Sequence, residues 1–540
     1  MNMSKFYKRK SNNINNQTIS SSFLTKEYKN TICNNSYIGQ KGYSIPKKYL
    51  SEEDITFLKK ELYVKPMTFG IGANTENSAF FVYRESSSKL YLPRFYGIQR
   101  YGLPTSHEIS MGNAINVPFV KELRDYQTNI IDTYMKYVDS PICVNSEDKG
   151  NGGILEVPCG RGKTVMALKI ISLLQKKTLI LVHKEFLMNQ WIERIQEFVP
   201  SARIGKIQAA EFNIEDKDIV IGMIQTIYNK EYPKNTFSSF GLTIIDEVHR
   251  IGSEQFSKTL FKTITPYMLG ISATVERKDQ LTKVLYMFIG KKIYEEKREN
   301  DDPVNVRAIT YISKDPEFNE TEYDFRGNPK YSTMLSKLSN FNSRNTFVVQ
   351  LIADLLDEDE SKQIMILTHQ RSVLTYLYDS IIYNKLASVG YYIGGMKPAD
   401  LQETETKQIV LATYAMAAEA LDIKTLSTLI MVTPKTDITQ SVGRILRVKG
   451  NKPIVVDIVD QHEMYQKQWL QRKRFYKSNN YRISATDSVQ YKEMDMKGSE
   501  WKVIFEPKDK KNEVKEKPKC LIQLSQNEIE HEMDGAAYYN

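Results

Sequence analysis

The sequence predicts an α/β chain of two tandem parallel-sheet domains, preceded by a small β-containing module and flanked by flexible tails. Three observations carry this. Over residues 116–296, short apolar runs (GGILEV, TLILV, IVIG, LTIID and MLGISAT) alternate with helical patterns, the order that builds a parallel sheet covered by helices. A second block of the same kind occupies 304–484, with IMILT, QIVLAT, TLIMVT and PIVVDIV as its strands. The 540 residues also exceed one ordinary core, since a domain averages about 150 residues.

Taken in order, residues 1–49 are rich in Asn, Ser and Lys and are expected to form a mobile tail. Residues 50–115 change character. The stretch FFVYRESSSKLYLPRFYGIQRYG alternates aromatic with polar residues, which fits a small module containing strands. The charged run EEKRENDDP at 295–303 reads as a linker between the two blocks, and residues 485–540 as a charged C-terminal tail. Composition narrows the function classes. Hydrophobic residues make up 41% of the chain and aromatics 11%, enough for real cores. The net charge of +9, from 74 basic and 65 acidic residues, mildly favours polyanionic partners. Cys33, Cys143, Cys159 and Cys520 lie far apart with no C-x-x-C pair, which argues against a structural zinc site or a secreted disulfide framework. No apolar run approaches the ~20 residues of a membrane span.

The first chemical motif is LEVPCGRGKTV, from Leu155 to Val165. An apolar strand, a glycine turn and a helix opening at Lys163 put backbone N–H groups and the helix dipole against an anion. Gly160 and Gly162 allow close approach, Lys163 would neutralise phosphate charge and Thr164 would hold Mg²⁺. Met166, Ile170 and Leu173 are the expected apolar face of that helix. The second motif, LTIIDEVHR, delivers Asp246 and Glu247 at a strand's carboxyl end. A metal-linked aspartate followed by a carboxylate that activates water is what phosphoanhydride hydrolysis requires. That pair would lie beside the phosphate loop if the two strands are neighbours. The third motif, Gln440-Ser-Val-Gly-Arg444-Ile-Leu-Arg447, sets two arginines on one helical face, where they could stabilise a transferring phosphoryl group.

In their order, VPCGRGKT, DEVH, SAT and QSVGRILR resemble the motifs of superfamily 2 helicases of the DEAD/H type. LRDYQ resembles the upstream glutamine motif, LILVHKEFLMNQW motif Ia, MIQTI the nucleic-acid motif that follows, IMILTHQRS motif IV and LATYAMAAEALDI motif V. The likeness covers about residues 120–450. Within the superfamily it is similar to the XPB-like branch and to helicases of large cytoplasmic DNA viruses, including the poxvirus transcript-release helicase. The resemblance implies two RecA-like domains that use ATP and Mg²⁺. It implies adenine reading by Gln127, phosphate and cofactor contacts from Gly160, Arg161, Gly162, Lys163 and Thr164, and a metal held by Thr164 and Asp246. Glu247 would activate water, and His249, Ser272 and Thr274 would couple hydrolysis to movement. Gln440, Arg444 and Arg447 would complete the site from the second domain, with Asp422 at the ribose. Two positions depart from the pattern: Ala420 where motif V commonly has glycine, and Gln440-Ser441 where many relatives have His-Arg.

The nucleic acid would cross both domains, gripped mainly through phosphates. Lys184, Gln225, Thr226, Gln370, Arg371 and Thr413 are the candidate contacts. Tyr465, Trp469, Arg472 and Tyr476 share one face of a further helix. Base stacking and packing of a closing helix both explain that spacing, and packing is favoured. The expectation is a monomeric translocase on DNA with 3′→5′ polarity, acting in viral transcription or transcript release. It would sit in the cytoplasm or virion, or in the nucleus if not viral, with RNA polymerase or transcription factors as possible partners and no membrane. The alternatives are an RNA helicase and an ATP-driven transcription-complex subunit that does not unwind.

Overall fold

The computed structural model describes residues 24–66, 79–139, 151–158, 160–248, 254–277, 279, 281–296, 304–419, 423, 425–445, 453–491, 501–507 and 519–520. The first block folds as a lobe around one sheet. Its strands are β1 (Gly152–Glu156), β2 (Thr178–Val182), β3 (Ile204–Gln208), β4 (Ile219–Met223), β5 (Leu242–Asp246), β6 (Tyr267–Ser272) and β7 (Lys292–Glu295). Their order across the sheet is β3-β4-β2-β5-β6-β1-β7, all parallel. Leu179–Val182 and Ile244–Ile245 are fully covered, as befits strands sandwiched between helices, which read as continuous apolar runs. Three helices matter for the site: α1 (Asp125–Asp139), α2 (Lys163–Leu174) and α3 (Glu185–Phe198). Met166 and Ile170 bury the inner face of α2, whereas Leu173, expected on that face, is 44% exposed near the helix end.

The second block forms the other lobe. It contains β8 (Asn305–Tyr311), β9 (Gln363–Thr368), β10 (Val389–Tyr392), β11 (Ile409–Thr413), β12 (Leu426–Met431), β13 (Ile454–Asp460) and β14 (Arg482–Asp487). These run parallel in the order β10-β11-β9-β12-β13-β8-β14. Its relevant helices are α4 (Tyr331–Asn340), the short α5 (Thr439–Gly443) and α6 (Glu463–Ser478). On α6, Tyr465, Trp469, Arg472 and Tyr476 are buried against the sheet, so the aromatic face is a packing face.

The ends of the chain correct two expectations. Residues 1–23 lie outside the described residues, but 24–49 are not a tail. They form a helix (Lys26–Asn34) and a hairpin (Tyr37–Gly39, Gly42–Pro46) that pairs with Lys89–Leu92 in a five-stranded sheet. Ile32, Tyr43 and Ile45 are fully buried there; a few well-placed apolar residues outweigh the Asn/Ser-rich average. This module is fastened to the first lobe by Arg94, a buried guanidinium whose Nη1 donates to the carbonyls of Thr265 and Pro266 at 2.8 and 3.0 Å. At the other end, Lys502–Phe505 adds antiparallel to β14, and Lys519–Cys520 pairs antiparallel with β7 of the first lobe. The region expected to be a flexible tail therefore contains strands.

Candidate nucleotide site

The carboxyl end of the first sheet holds the site. After β1 the chain turns through Gly160 (φ +82°) and Gly162 (φ +80°), a left-handed conformation that costs other residues energy. Gly162 is the N-cap of α2, and no side chain caps that helix. A helix N-terminus without a side-chain cap is an arrangement that suits phosphate. A Cβ on Gly162 would also stand 2.4 Å from Gln127 Nε2, so a larger residue there would push the Gln127 amide off the loop as well as strain the backbone.

Gln127 is on α1 and nearly buried. Its Nε2 donates to the Arg161 carbonyl at 3.1 Å and its Oε1 accepts from the Arg124 N–H at 3.0 Å. In this position it braces the phosphate loop. The Arg161 guanidinium lies 3.6 Å from the Tyr126 ring centroid and pairs with Glu296. Tyr126 and Glu296 were not singled out from the sequence. Tyr126 is the residue before Gln127 in LRDYQ, so a signal for it existed.

The carboxylates meet the loop by an unexpected route. β5 and β1 are not neighbours, because β6 lies between them. The loop side is reached by a turn: Glu247 adopts φ +51°, and its Oε1 comes within 3.7 Å of Lys163 Nζ. Such a conformation is costly for a non-glycine residue and is held where the surroundings dictate it. Asp246, on the last position of β5, is buried and accepts a hydrogen bond from Trp191 Nε1 at 2.9 Å. Burial, and then the neighbouring Glu247, push its carboxyl up to about 6, against the pull of Lys163. Trp191 closes LILVHKEFLMNQW on α3, so this third partner could have been suspected from the motif alone.

β6 joins the site through its backbone. The Val157 N–H donates to the Ser272 carbonyl at 2.8 Å, and Ser272 Oγ donates to the Thr274 carbonyl at 2.6 Å. The SAT turn is thus tied directly to the phosphate-loop strand. Gln440 lies on α5 and Arg444 follows that helix, half-buried, in the second lobe. His249, Ala420, Asp422 and Arg447 lie outside the described residues.

The nucleic-acid candidates also gather at carboxyl ends. Lys184 is the N-cap of α3, after β2. Gln225 follows β4 and donates from Nε2 to the His183 carbonyl at 2.8 Å, while Thr226 Oγ1 accepts from the Ala209 N–H. In the second lobe Gln370 and Arg371 follow β9 and Thr413 ends β11. Gln370 Nε2 donates to Ser336 Oγ at 3.0 Å and Arg371 Nη2 to the Gly394 carbonyl at 2.6 Å. Phe186, at the start of α3, packs against the cores of both lobes.

A phosphate loop following the interior strand β1 of a parallel sheet, an Asp–Glu pair after β5 and a second lobe of the same architecture define a P-loop nucleoside triphosphatase of the two-lobed motor class. The comparisons with known proteins agree. The profile of the type III restriction enzyme res-subunit family matches residues 120–277. A relative from Acanthamoeba polyphaga mimivirus, provisionally named an ATP-dependent RNA helicase, is 33% identical over 453 residues, covering 82% of this chain and 85% of its own. A similarly named African swine fever virus protein (isolate Warthog/Namibia/Wart80/1980) is 26% identical over 407 residues, 70% of this chain and 77% of its own. A DNA 3′-5′ translocase of the XPB type from Sulfurisphaera tokodaii is 30% identical over 208 residues, 37% of this chain and 43% of its own. The chain belongs to the superfamily 2 helicases, in the family of ATP-dependent helicases carried by large DNA viruses.

Proposed function

We propose that the protein is an ATP-driven translocase that moves along single-stranded DNA in the 3′→5′ direction and acts in viral transcription or transcript release. One observation carries the motor reading. The phosphate loop, the Asp246–Glu247 pair and the SAT turn sit on β1, β5 and β6 of one sheet, with the candidate track residues Lys184 and Gln225 at the same carboxyl end. Hydrolysis and grip therefore share one rigid frame.

The residues present fit the Mg²⁺ that this chemistry needs: a buried carboxylate whose pKa is raised by desolvation is one that a cation would relieve. Asp246 and Thr164 would hold the ion, which when bound neutralises phosphate charge. Lys163 and the N-terminus of α2 position the phosphates. Glu247 orients water and takes up its proton on a carboxylate oxygen, and Lys163 beside Oε1 steadies the charged form of that base. Gln127 keeps the loop in register from behind. Arg444, with Gln440, would approach the γ-phosphoryl group from the second lobe and stabilise its developing charge.

The DNA track is supported by the likeness to the XPB-type translocase. RNA is the second reading, favoured by the names of the viral relatives that align over most of the chain. Contacts made to phosphates serve either. Steady-state ATPase titrated with single-stranded DNA and single-stranded RNA, followed by displacement of 3′- and 5′-tailed duplexes, separates them. Stronger stimulation by DNA with displacement from a 3′ tail is expected. Stimulation by RNA alone would overturn the DNA reading, and no stimulation by either would overturn the motor reading.

A further inference from the structure

The segment from Val432 to Lys435, which leads from β12 towards α5 and Arg444, is held in an unusual way. Each of its consecutive backbone carbonyls accepts a hydrogen bond from a different side chain. Arg344 Nη2 donates to the Val432 carbonyl at 2.6 Å and the Tyr414 hydroxyl to that of Thr433 at 2.6 Å. The Tyr331 hydroxyl donates to the Pro434 carbonyl at 3.2 Å and Arg472 Nη1 to that of Lys435 at 3.0 Å. Thr433 Oγ1 additionally accepts from the His369 backbone N–H at 2.9 Å and lies 2.9 Å from His369 Nδ1. Arg344, Tyr414, Thr433 and Arg472 are buried, and the Arg344 and Tyr414 bonds are made out of water, where an unmet partner is expensive.

The origin of the donors is informative. Arg344 and Arg472 are anchored in place by Asp460 and Asp457 of β13 and are fixed posts. Two of the other three adjoin candidate nucleic-acid contacts in the chain, and the third lies on a helix bonded to one. Tyr414 follows Thr413 directly, and His369 precedes Gln370 and Arg371. Tyr331 opens α4, whose Ser336 receives the Gln370 amide. Residues next to Thr413 and Gln370, and the helix that receives the Gln370 amide, are therefore bonded to the peptide that leads towards Arg444.

We propose that the Val432–Lys435 peptide is the link through which the track side of the second lobe sets the position of Arg444, with Tyr414, Tyr331 and His369 as positioning residues. This rests on the motor reading above. The fixed posts give the peptide a resting position, and a shift of Thr413 or Gln370 on binding nucleic acid displaces the Tyr414 and Tyr331 hydroxyls and draws Pro434 with them. A contiguous bonded path of this kind is a physical route for coupling.

The test compares the full-length wild type with Tyr414→Phe and Tyr331→Phe. Each change removes one hydroxyl and keeps the ring. ATPase is measured without nucleic acid and with saturating single-stranded DNA or RNA, alongside the dissociation constant for the strand and a thermal melt. The expected result is a basal rate and strand affinity close to wild type, with the stimulated kcat lowered about fivefold, the worth of one buried hydrogen bond. Tyr331 is 38% exposed, so that variant keeps the test valid if Tyr414→Phe folds poorly. A stimulated kcat that stays near wild type in both folded variants overturns the link. So does one that falls only in proportion to the basal rate. A wild-type chain that no nucleic acid stimulates overturns the motor reading, and the link with it.

Discussion

The two lobes share one architecture and treat buried charge in opposite ways. In the second lobe Asp457 and Asp460, near and at the carboxyl end of β13, are each met by a guanidinium through two nitrogens: Arg472 on Asp457 at 2.8 and 2.9 Å, Arg344 on Asp460 at 2.6 and 2.8 Å. In the first lobe Asp246 ends β5 equally buried, but its bonded partner is the neutral Trp191 indole at 2.9 Å. Among the described residues, the cation acting on it is Lys163, itself beside Glu247. A carboxylate supplied with its own bidentate cation is a structural post. One left with a neutral donor and an acidic neighbour keeps capacity for a cation from outside the chain. The same sheet end thus serves as a scaffold in one lobe and as a chemical site in the other.

That contrast can be broken by substitution. The largest expected effect is at a post: Arg472→Ala leaves Asp457 buried without its cation and should cost about 3–5 kcal/mol of stability, read as a lower midpoint in urea unfolding. Lys163→Ala should instead leave unfolding close to wild type while lowering kcat by about a hundredfold or more, since it removes a charge aimed at the phosphates. An equal loss of stability in both variants would erase the distinction between the lobes.

Asp246 sharpens the comparison through pH. Its carboxyl is raised from 3.8 to about 6 in the folded chain, so the folded state binds that proton more tightly than the unfolded one. The associated stability is present below about pH 4 and is lost as pH rises through about 6. Without nucleotide or metal, Asp246→Asn should remove this slope from thermal melts taken between pH 4 and 7, and at pH 8 should not destabilise the chain. Asp457→Asn, which weakens a post, should lower the melting temperature at pH 8. The smallest effect is expected from Trp191→Phe. Losing one hydrogen bond to the aspartate is worth about 1 kcal/mol and should show as a few-fold change in the Mg²⁺ concentration needed for half-maximal turnover.

What the sequence made legible was what sequence carries locally. The phosphate loop, the Asp–Glu pair, the strands of both sheets and the buried face of α6 each reside in a short run with its own periodicity. What it left hidden depends on packing between distant segments. The position of β6 between β1 and β5 is a matter of strand order, which no local pattern records. The partners of Gln127 and Arg161, namely the loop carbonyl, Tyr126 and Glu296, were also hidden, because a motif names neighbours of a site without saying which way each side chain turns. Residues 24–49 were judged by their average composition, although Ile32, Tyr43 and Ile45 alone suffice to seat them in the module. The carbonyl bonds of Val432–Lys435 draw on Tyr331, Arg344, Tyr414 and Arg472, which are spread along most of the second block.

The central claim, that the carboxyl end of the first sheet is a metal-assisted nucleotide site and that of the second is not, is tested most directly by ATP turnover as a function of Mg²⁺ concentration. Wild type, Asp246→Asn and Asp457→Asn are compared, each shown to be folded at the assay temperature. The account predicts saturable Mg²⁺ dependence in wild type and in Asp457→Asn, with turnover near zero at every Mg²⁺ concentration in Asp246→Asn. Turnover in Asp246→Asn at the wild-type rate, with the wild-type Mg²⁺ dependence, would contradict it.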